Sequence, residues 1–516
     1  MLALSGRTPS LFLISLLLLL CGSAFLRTQF GFNAGHMDEY DYLFVGRQLW
    51  AGKAWATYIY IFGSDLNWYL LGWGERVLGG FHGARMVAGA FGLLSLVGLY
   101  AFVYALWRSH LTALIAVTLL ATQSIHLFIS RFATYDIISF AFFALSLAPI
   151  VLACQRQSTS RYLYLLLSIV FISLSVTSKY VVVLYLPFLS IIMLVRSPRM
   201  AILFGLGVGG ILLAYAALHW ESLQVLYRVQ IQNVHGGSNG SLEYVLRSIL
   251  SYVWPALLSC LLAVGYVAYR DGLKGLLQKQ GVYLWLLALL SLPIVAYHLQ
   301  ALNMISLYKH LVFANLFLLA ASAWLVAQVL QSGHSLIKQA CLALLLVAYA
   351  LLNFQQLKQA EIAYVDVSPV IKAVEGRLDV ETTILSEDPY LFRYLGFGKV
   401  PQGHIKESKW LDNNRDGLYE KKDVVEALWD SKFSYVYLND RLHPNLNKTI
   451  RKILKMRGYT PVVLMDYKTS EVMSRQKKGS LGLYQRTKQP SISLQNDDLF
   501  QRGKAMKAFL KEAESE

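Results

Sequence analysis

Three carboxylates crowd into four residues near the start of the chain, at Asp38-Glu39-Tyr40-Asp41. Neighbouring carboxylates raise one another's proton affinity, which suits one of them to act as a general base. The same grouping suits a divalent cation, or marks no more than the acidic start of a loop. A second group, Ser130-Arg131-Phe132-Ala133-Thr134-Tyr135-Asp136, sets an arginine and an aspartate five residues apart. The two could simply pair with each other; alternatively, Arg131 meets an anion while Asp136 orients the reacting groups. Further cations stand in Thr177-Ser178-Lys179-Tyr180 and in Tyr308-Lys309-His310, and Arg228 and His235 lie between 219 and 247. A lone lysine at a membrane edge either snorkels to the interface or holds a lipid phosphate, and a lone loop histidine is usually bland. Taken together, the groups supply a proton acceptor and phosphate-neutralising cations. A reaction that joins a lipid-phosphate donor to a hydroxyl acceptor needs both.

The elements that must position these residues are membrane helices. The chain has 516 residues, of which 56% are hydrophobic and only 15% charged, and its mean hydropathy is +0.45. A soluble chain of this length needs more polar surface. Apolar runs near the length of a bilayer crossing recur at roughly 10–28, 84–106, 111–128, 136–154, 162–178, 181–195, 200–218, 248–269, 282–299, 310–330 and 339–355. The expected fold class is mainly α, polytopic, with about eleven spans. Arg7 precedes the run from Leu11 to Leu20, and Cys21 follows. Leu20 is not the small residue that a lipoprotein signal places before its cysteine, so an uncleaved first helix is expected. Cys21, Cys154, Cys260 and Cys341 all fall in apolar runs without paired or ligand spacing, and read as buried hydrophobes.

Charge placement orients the spans. The net charge is +16, yet no dense basic block is interleaved with aromatics, which argues against nucleic acid as a partner. The basic residues instead sit at span boundaries. With the N-terminus inside, the inner connections carry Arg108; Arg156 and Arg161; Arg196 and Arg199; Arg270, Lys274 and Lys279; and Lys338. The loops 29–83, 219–247 and 300–309 then face outward, as does the chain beyond about 356. Before residue 356 the acids are Asp38, Glu39, Asp41, Asp65, Glu75, Asp136, Glu221, Glu243 and Asp271, and on this topology only Asp271 is inside. An ionised carboxylate within a span costs roughly 2–3 kcal/mol even on generous insertion scales, so Asp136 implies a partner or a task.

Beyond about 356 charged residues become frequent. Short β-like runs, Thr383-Ile384-Leu385, Tyr435-Val436-Tyr437-Leu438 and Val462-Val463-Leu464, alternate with helix-like stretches near 367–377, 421–430 and 446–457. The expectation is a small outward-facing α/β domain over 356–487 after a membrane region over 1–355, with a polar tail over 488–516.

Order and placement of these motifs resemble the GT-C class of multispan glycosyltransferases. The likeness is nearest to the branch of protein O-mannosyltransferases and lipid A aminoarabinose transferases. That branch opens with Asp-Glu, a tyrosine three residues on, an arginine and a glycine-containing turn, matched by Asp38, Glu39, Tyr42, Arg47 and Gly52. Gly80-Phe81-His82-Gly83-Ala84-Arg85 resembles its entry to the second span, and Arg131 with Asp136 and Lys179-Tyr180 resemble the later motifs. The proline-rich stretch of many relatives is replaced by Phe62-Gly63-Ser64-Asp65-Leu66-Asn67-Trp68-Tyr69.

The resemblance implies a sugar donor on a polyprenyl phosphate, an inverting transfer, no cofactor and no obligatory metal. Its partners are that donor, membrane lipids, and a lipid, glycan or protein acceptor. Asp38 would take the acceptor proton, with Glu39 or Asp136 orienting it. Tyr42, Arg85, Arg131, Lys179, Lys309 and His235 would bind substrate, the cations meeting phosphate. The expected location is a bacterial inner membrane with the active site on the periplasmic or exterior face. A flippase of lipid-linked saccharides and a polysaccharide polymerase or ligase are the competing readings. Transporters usually carry their ionisable groups near the bilayer midplane rather than at one surface.

Overall fold

The computed structural model describes residues 9–29, 37–53, 65–228, 240–332, 336–408, 411, 421–430, 432–440, 444–470 and 478–487. The chain divides into two compact units. The first comprises Met1–Phe30 and Val45–Glu361, the second Gly31–Phe44 and Ile362–Glu516. The acidic stretch near the start of the chain thus groups with the C-terminal residues. His235, Phe62-Gly63-Ser64 and the tail 488–516 lie outside the described residues.

The first unit is helical. In chain order its helices are α1 (Pro9–Arg27), α2 (Met37–Trp50, whose first residues group with the second unit), α3 (Leu66–Leu78), α4 (Gly80–Trp107), α5 (His110–Thr122), α6 (Ser124–Ile129), α7 (Tyr135–Gln155) and α8 (Ser160–Ser178). They continue with α9 (Leu186–Arg196), α10 (Pro198–Leu218), α11 (Trp220–Leu226), α12 (Leu242–Gly275), α13 (Lys279–Leu290), α14 (Leu292–Ala301), α15 (Leu307–Gln331) and α16 (Leu336–Glu361). Among the described residues, nine helical segments are long and apolar enough to cross a membrane, with shorter apolar helices at His110–Thr122 and Tyr180–Arg196. Helices α7 and α15 form the heart of the bundle, with most of their residues buried.

Three apolar runs differ from the continuous spans expected. The run at 181–195 begins as a 3-10 turn over Tyr180–Tyr185 before α9. Consecutive valines lose side-chain freedom in a helix, and Pro187 in the first turn of α9 has no N–H to continue the earlier ladder. The run at 282–299 breaks between α13 and α14, where Pro293 plays the same part. At 111–128 the break falls on Gln123, which has extended backbone; its side chain accepts the His126 N–H and so caps α6. A fourth difference is the connection 29–83, expected as a loop, which carries α2 and α3. Two cysteines also depart from expectation: Cys21 and Cys341 lie on exposed helix faces rather than buried.

Helices α2 and α3 cross closely within the first unit. A Cβ on Gly46 would stand 2.8 Å from the Trp68 carbonyl oxygen and 3.0 Å from the Gly72 Cα, so only glycine admits the approach. Arg47 donates to Glu75 at 2.9 Å from Nε, and Trp50 Nε1 donates to the Tyr69 carbonyl. Helix α2 then stops at Gly52, whose φ of +68° is left-handed. The Gly52 N–H bonds the Leu49 carbonyl and the Lys53 N–H bonds the Gln48 carbonyl, the paired bonds of a Schellman stop. Arg47 and Gly52 therefore pin and end this helix.

The second unit holds a five-stranded mixed sheet of β1 (Ile384–Ser386), β2 (Ile405–Glu407), β3 (Tyr435–Asn439), β4 (Tyr459–Lys468) and β5 (Lys478–Arg486), in the order β2-β1-β3-β5-β4. β1 is parallel to β2 and β3, while β5 is antiparallel to β3 and β4. Its helices are α17 (Ser368–Val374), α18 (Pro389–Leu395), α19 (Lys421–Trp429) and α20 (Pro444–Met456). Val424, Leu428, Ile450 and Leu454 build the core against Val436 and Leu438. β2, β5 and α18 carry no clear sequence pattern; β2 spans three residues and β5 is glycine-interrupted, so neither shows the two-residue alternation of a half-buried strand. Tyr40 and Phe44, four residues apart and so on one helical face, pack on Tyr394 and Phe397 at ring-centroid distances of 5.5 and 6.2 Å.

Candidate active site

In the first unit one buried carboxylate gathers two ammonium groups. Asp136 stands in the first turn of α7, Lys179 directly after α8 and Lys309 in the first turn of α15. Lys179 Nζ forms an ion pair with Asp136 Oδ1, and Lys309 Nζ lies 3.4 Å from Oδ2. All three side chains are about nine-tenths buried or more. The helix ends favour part of this arrangement, since an anion at a helix start and a cation at a helix end both oppose the backbone dipole. Lys309 is at the wrong end of its helix for that benefit. Two ammonium groups thus meet at one carboxylate, and both are of a type that can hold a phosphate.

Neighbouring side chains fix the cluster. The Lys179 ammonium lies 5.1 Å from the centre of the Tyr135 ring, and Trp68 meets that ring edge-on at 5.9 Å. Asn67 donates to the Ser178 carbonyl at 3.0 Å, tying α3 to the end of α8 beside Lys179. Next to Lys309, His310 Nδ1 is 2.9 Å from His298 Nε2, and His298 Nδ1 is 2.7 Å from the Asn303 carbonyl. A carbonyl can only accept, so His298 donates from Nδ1 and accepts from His310 at Nε2.

Arg131 and Asp136 do not pair. Arg131 instead bonds Glu361 at the end of α16 and the Gln29 carbonyl. Between them lies the turn Phe132–Thr134, which turns the two side chains to different partners. Arg131 feels the charges of Arg27 and Arg85. Arg85 is fully enclosed, with its guanidinium 4.5 Å from the Phe81 ring centre and 5.1 Å from that of Phe132. Arg27 reaches His126 Nδ1 at 2.7 Å, and His126 Nε2 is 2.7 Å from Ser95 Oγ. Arginine can only donate, so His126 accepts at Nδ1 and gives its single proton to Ser95, which passes one to the Gly92 carbonyl at 2.7 Å. Sequence reasoning missed Arg27, His126 and Glu361. An arginine and a glutamate closing apolar runs were the available signal, because a charge at that depth needs a partner.

Asp38, Glu39 and Tyr42 belong to the second unit. Glu39 and Tyr42 are buried and Asp38 is half-buried. Asp38 acts electrostatically on Asp388, which precedes α18. Burial, with the charges of Glu407 and Asp38 adding to it, pushes the Asp388 carboxyl up to about 7. Glu387 beside it is pushed up to about 8, again by burial, although its Oε2 accepts from the Asn439 N–H and from Asn447 Nδ2 at 3.1 Å. Asp440, at the end of β3, is held down by Arg451 at 2.8 Å and by Ser480. These carboxyls line the carboxyl-terminal ends of parallel strands β1 and β3, where open sheets present polar groups. The structure thus brings Asp136, Lys179 and Lys309 together in one unit, couples Arg85 with Arg131, and sets Asp38 among the acids of the other.

Over residues 33–209 the chain matches the family described as dolichyl-phosphate-mannose-protein mannosyltransferase. No curated protein matches the whole sequence closely enough to count as a relative. Among solved structures it is similar to ArnT from Cupriavidus metallidurans bound to undecaprenyl phosphate, at 13% identity and a TM-score of 0.60, covering 94% of this chain and 99% of that one. It is also similar to the oligosaccharyltransferase of Archaeoglobus fulgidus tethered with an acceptor peptide, at 12% identity and a TM-score of 0.53, covering 94% of this chain and 75% of that one. A third is the arabinofuranosyltransferase AftD from Mycobacteria, at 14% identity and a TM-score of 0.50, covering 92% of this chain and 42% of that one. The chain is a multi-pass membrane protein with the fold of the GT-C glycosyltransferases, and resembles the protein O-mannosyltransferase branch in sequence over the matched segment.

Proposed function

We propose that this protein is a membrane glycosyltransferase that moves a sugar from a polyprenyl phosphate to a hydroxyl acceptor on the non-cytoplasmic face. The observation that carries the reading is the buried Asp136–Lys179–Lys309 cluster, which sets two ammonium groups at one carboxylate. A polyprenyl-phosphate sugar is a phosphodiester with one negative charge, which such groups can meet. Transfer breaks the bond between the anomeric carbon and a phosphate oxygen, and the electron pair stays on that oxygen. The leaving phosphate gains a charge as the bond breaks, so the lysines stabilise the transition state more than the bound donor. The resemblance of Asp38-Glu39 to the family's opening motif supports Asp38 as the group that takes the acceptor proton in an inverting transfer. Glu39 orients that base, and Asp136 holds the two lysines in place.

The test uses membranes containing the full chain and a labelled polyprenyl-phosphate sugar. Asp38→Asn is expected to lose transfer by at least about 10³-fold, in the range seen when a proton acceptor is removed, with unchanged protein in the membrane. Full transfer by that variant would sink Asp38 as the base. Vesicles that flip the lipid-linked sugar without making product would replace the whole reading with that of a flippase.

A further inference from the structure

The other end of the same bundle has a pocket that the transfer reaction does not use. Helix α7 carries Asp136 in its first turn and Cys154 and Gln155 in its last. At 1.5 Å per residue this helix of 21 residues separates the two ends by about 30 Å. A cavity of about 610 Å³ opens at the far end, between the ends of α4, α7 and α9 and the start of α13. Its deep walls are apolar, made by Phe102, Leu147, Ile150, Leu189, Met193 and Leu290. Its rim carries Arg108, Arg196 and Lys279, all exposed.

Among the described residues the rim holds three cations and no acid. Among the described residues none of the three forms an ion pair; the acid on this side of the sequence-derived topology, Asp271, is taken by Arg270 at 2.6 Å. Arg108 rests on Gln155 Oε1 at 2.8 Å. Arg196 and Lys279 both lie 5.8 Å from the centre of the buried Tyr283 ring. Contacts of that kind place a cation without neutralising it, so these groups keep N–H donors for an anion. The basic residues that mark the inner side of the topology include these three, and basic pockets between helices on that side suit lipid phosphate groups.

We propose that this pocket binds an anionic glycerophospholipid of the inner leaflet. Its phosphate sits among Arg108, Arg196 and Lys279 and one acyl chain enters the apolar cavity. Charge complementarity chooses the occupant: three uncompensated cations reject a zwitterionic headgroup, whose own ammonium would face them. The volume lies within the range of small-molecule pockets, and the apolar depth excludes a free phosphate as the main ligand.

The test is native mass spectrometry of the full-length protein released from detergent after exposure to phosphatidylglycerol, phosphatidylcholine of matched chains, or undecaprenyl phosphate. Phosphatidylglycerol is expected to be retained at least tenfold over phosphatidylcholine. Arg108→Gln, Arg196→Gln and Lys279→Gln combined should abolish that preference; all three side chains are exposed, so folding is preserved. Ile150→Trp fills the cavity and should reduce retention of phosphatidylglycerol with the charges intact. Equal retention by wild type and triple variant overturns the proposal, as does indifference to headgroup charge. Undecaprenyl phosphate retained above phosphatidylglycerol, and lost in the triple variant, also overturns it and gives the pocket to the carrier. None of these readouts depends on transfer activity.

Discussion

Two regions of the molecule bury carboxyl groups, and they handle the cost in opposite ways. In the membrane unit Asp136 is buried with two ammonium groups against it. In the second unit Glu387 and Asp388 are buried with hydrogen-bond donors or acidic neighbours, and burial raises both well above the carboxylate range. Burial penalises charge wherever it occurs; what differs is whether a counter-charge is buried too. The membrane cluster meets its carboxylate with ammonium groups. The carboxyls beside β1 hold their protons to higher pH than an exposed carboxyl does. A site that handles phosphate needs the first solution, and a site that exchanges protons is served by the second.

The largest test of this contrast is Asp136→Asn. It removes the carboxylate that Lys179 and Lys309 share, and removing one partner from a buried ionic group typically costs about 3–5 kcal/mol. The variant is expected to lose transfer activity and to unfold at lower temperature in detergent. An unchanged melting temperature would show that the lysines find their counter-charge elsewhere.

A comparable effect, read through pH, is expected beside β1. The folded-state values of Glu387 and Asp388 are raised, so the folded chain holds these protons more tightly than the unfolded chain. Their contribution is complete below the ordinary carboxylate range near pH 4 and drains as pH rises through about 7 for Asp388 and about 8 for Glu387. Holding the protons to that pH corresponds to at most about 4–5 kcal/mol per group. Hydrogen exchange at β3, corrected for its intrinsic pH dependence, should show protection falling between pH 5 and pH 8.5. Asp388→Asn should flatten that fall. A variant with the wild-type slope would assign the proton elsewhere.

The smallest effect is expected from Lys309→Gln. Asp136 keeps Lys179, and the fold is preserved. Lys309 acts on the leaving phosphate, so kcat with the polyprenyl-phosphate donor should fall about tenfold, or about 1.4 kcal/mol. If instead KM rises and kcat is unchanged, Lys309 serves the bound donor rather than the leaving phosphate.

Much of this was legible in residue order. The apolar runs announce a polytopic helical protein because a bilayer core admits few other solutions. Asp136 announced a partner because a charge in that setting is costly. The identity of the partner was not legible: Arg131 is five residues away in sequence, while Lys179 and Lys309 are brought in from the end of α8 and the start of α15. Likewise Arg47 and Gly52 match a family motif, yet only the crossing at Gly46 and Gly72 shows that they anchor α2 to α3 and end it.

Sequence alone determined the solvent in which most of the chain lies, the approximate position of its helices, and the residue types available for phosphate and proton chemistry. These follow from local hydropathy and from charge, which each residue carries with it. Tertiary structure decided which charges meet, which carboxyls stay protonated, and that the Asp38 stretch groups with Ile362–Glu516 through Tyr40 and Phe44. Those outcomes depend on contacts between residues far apart in the chain, and on the depth at which each is buried, which no single residue encodes.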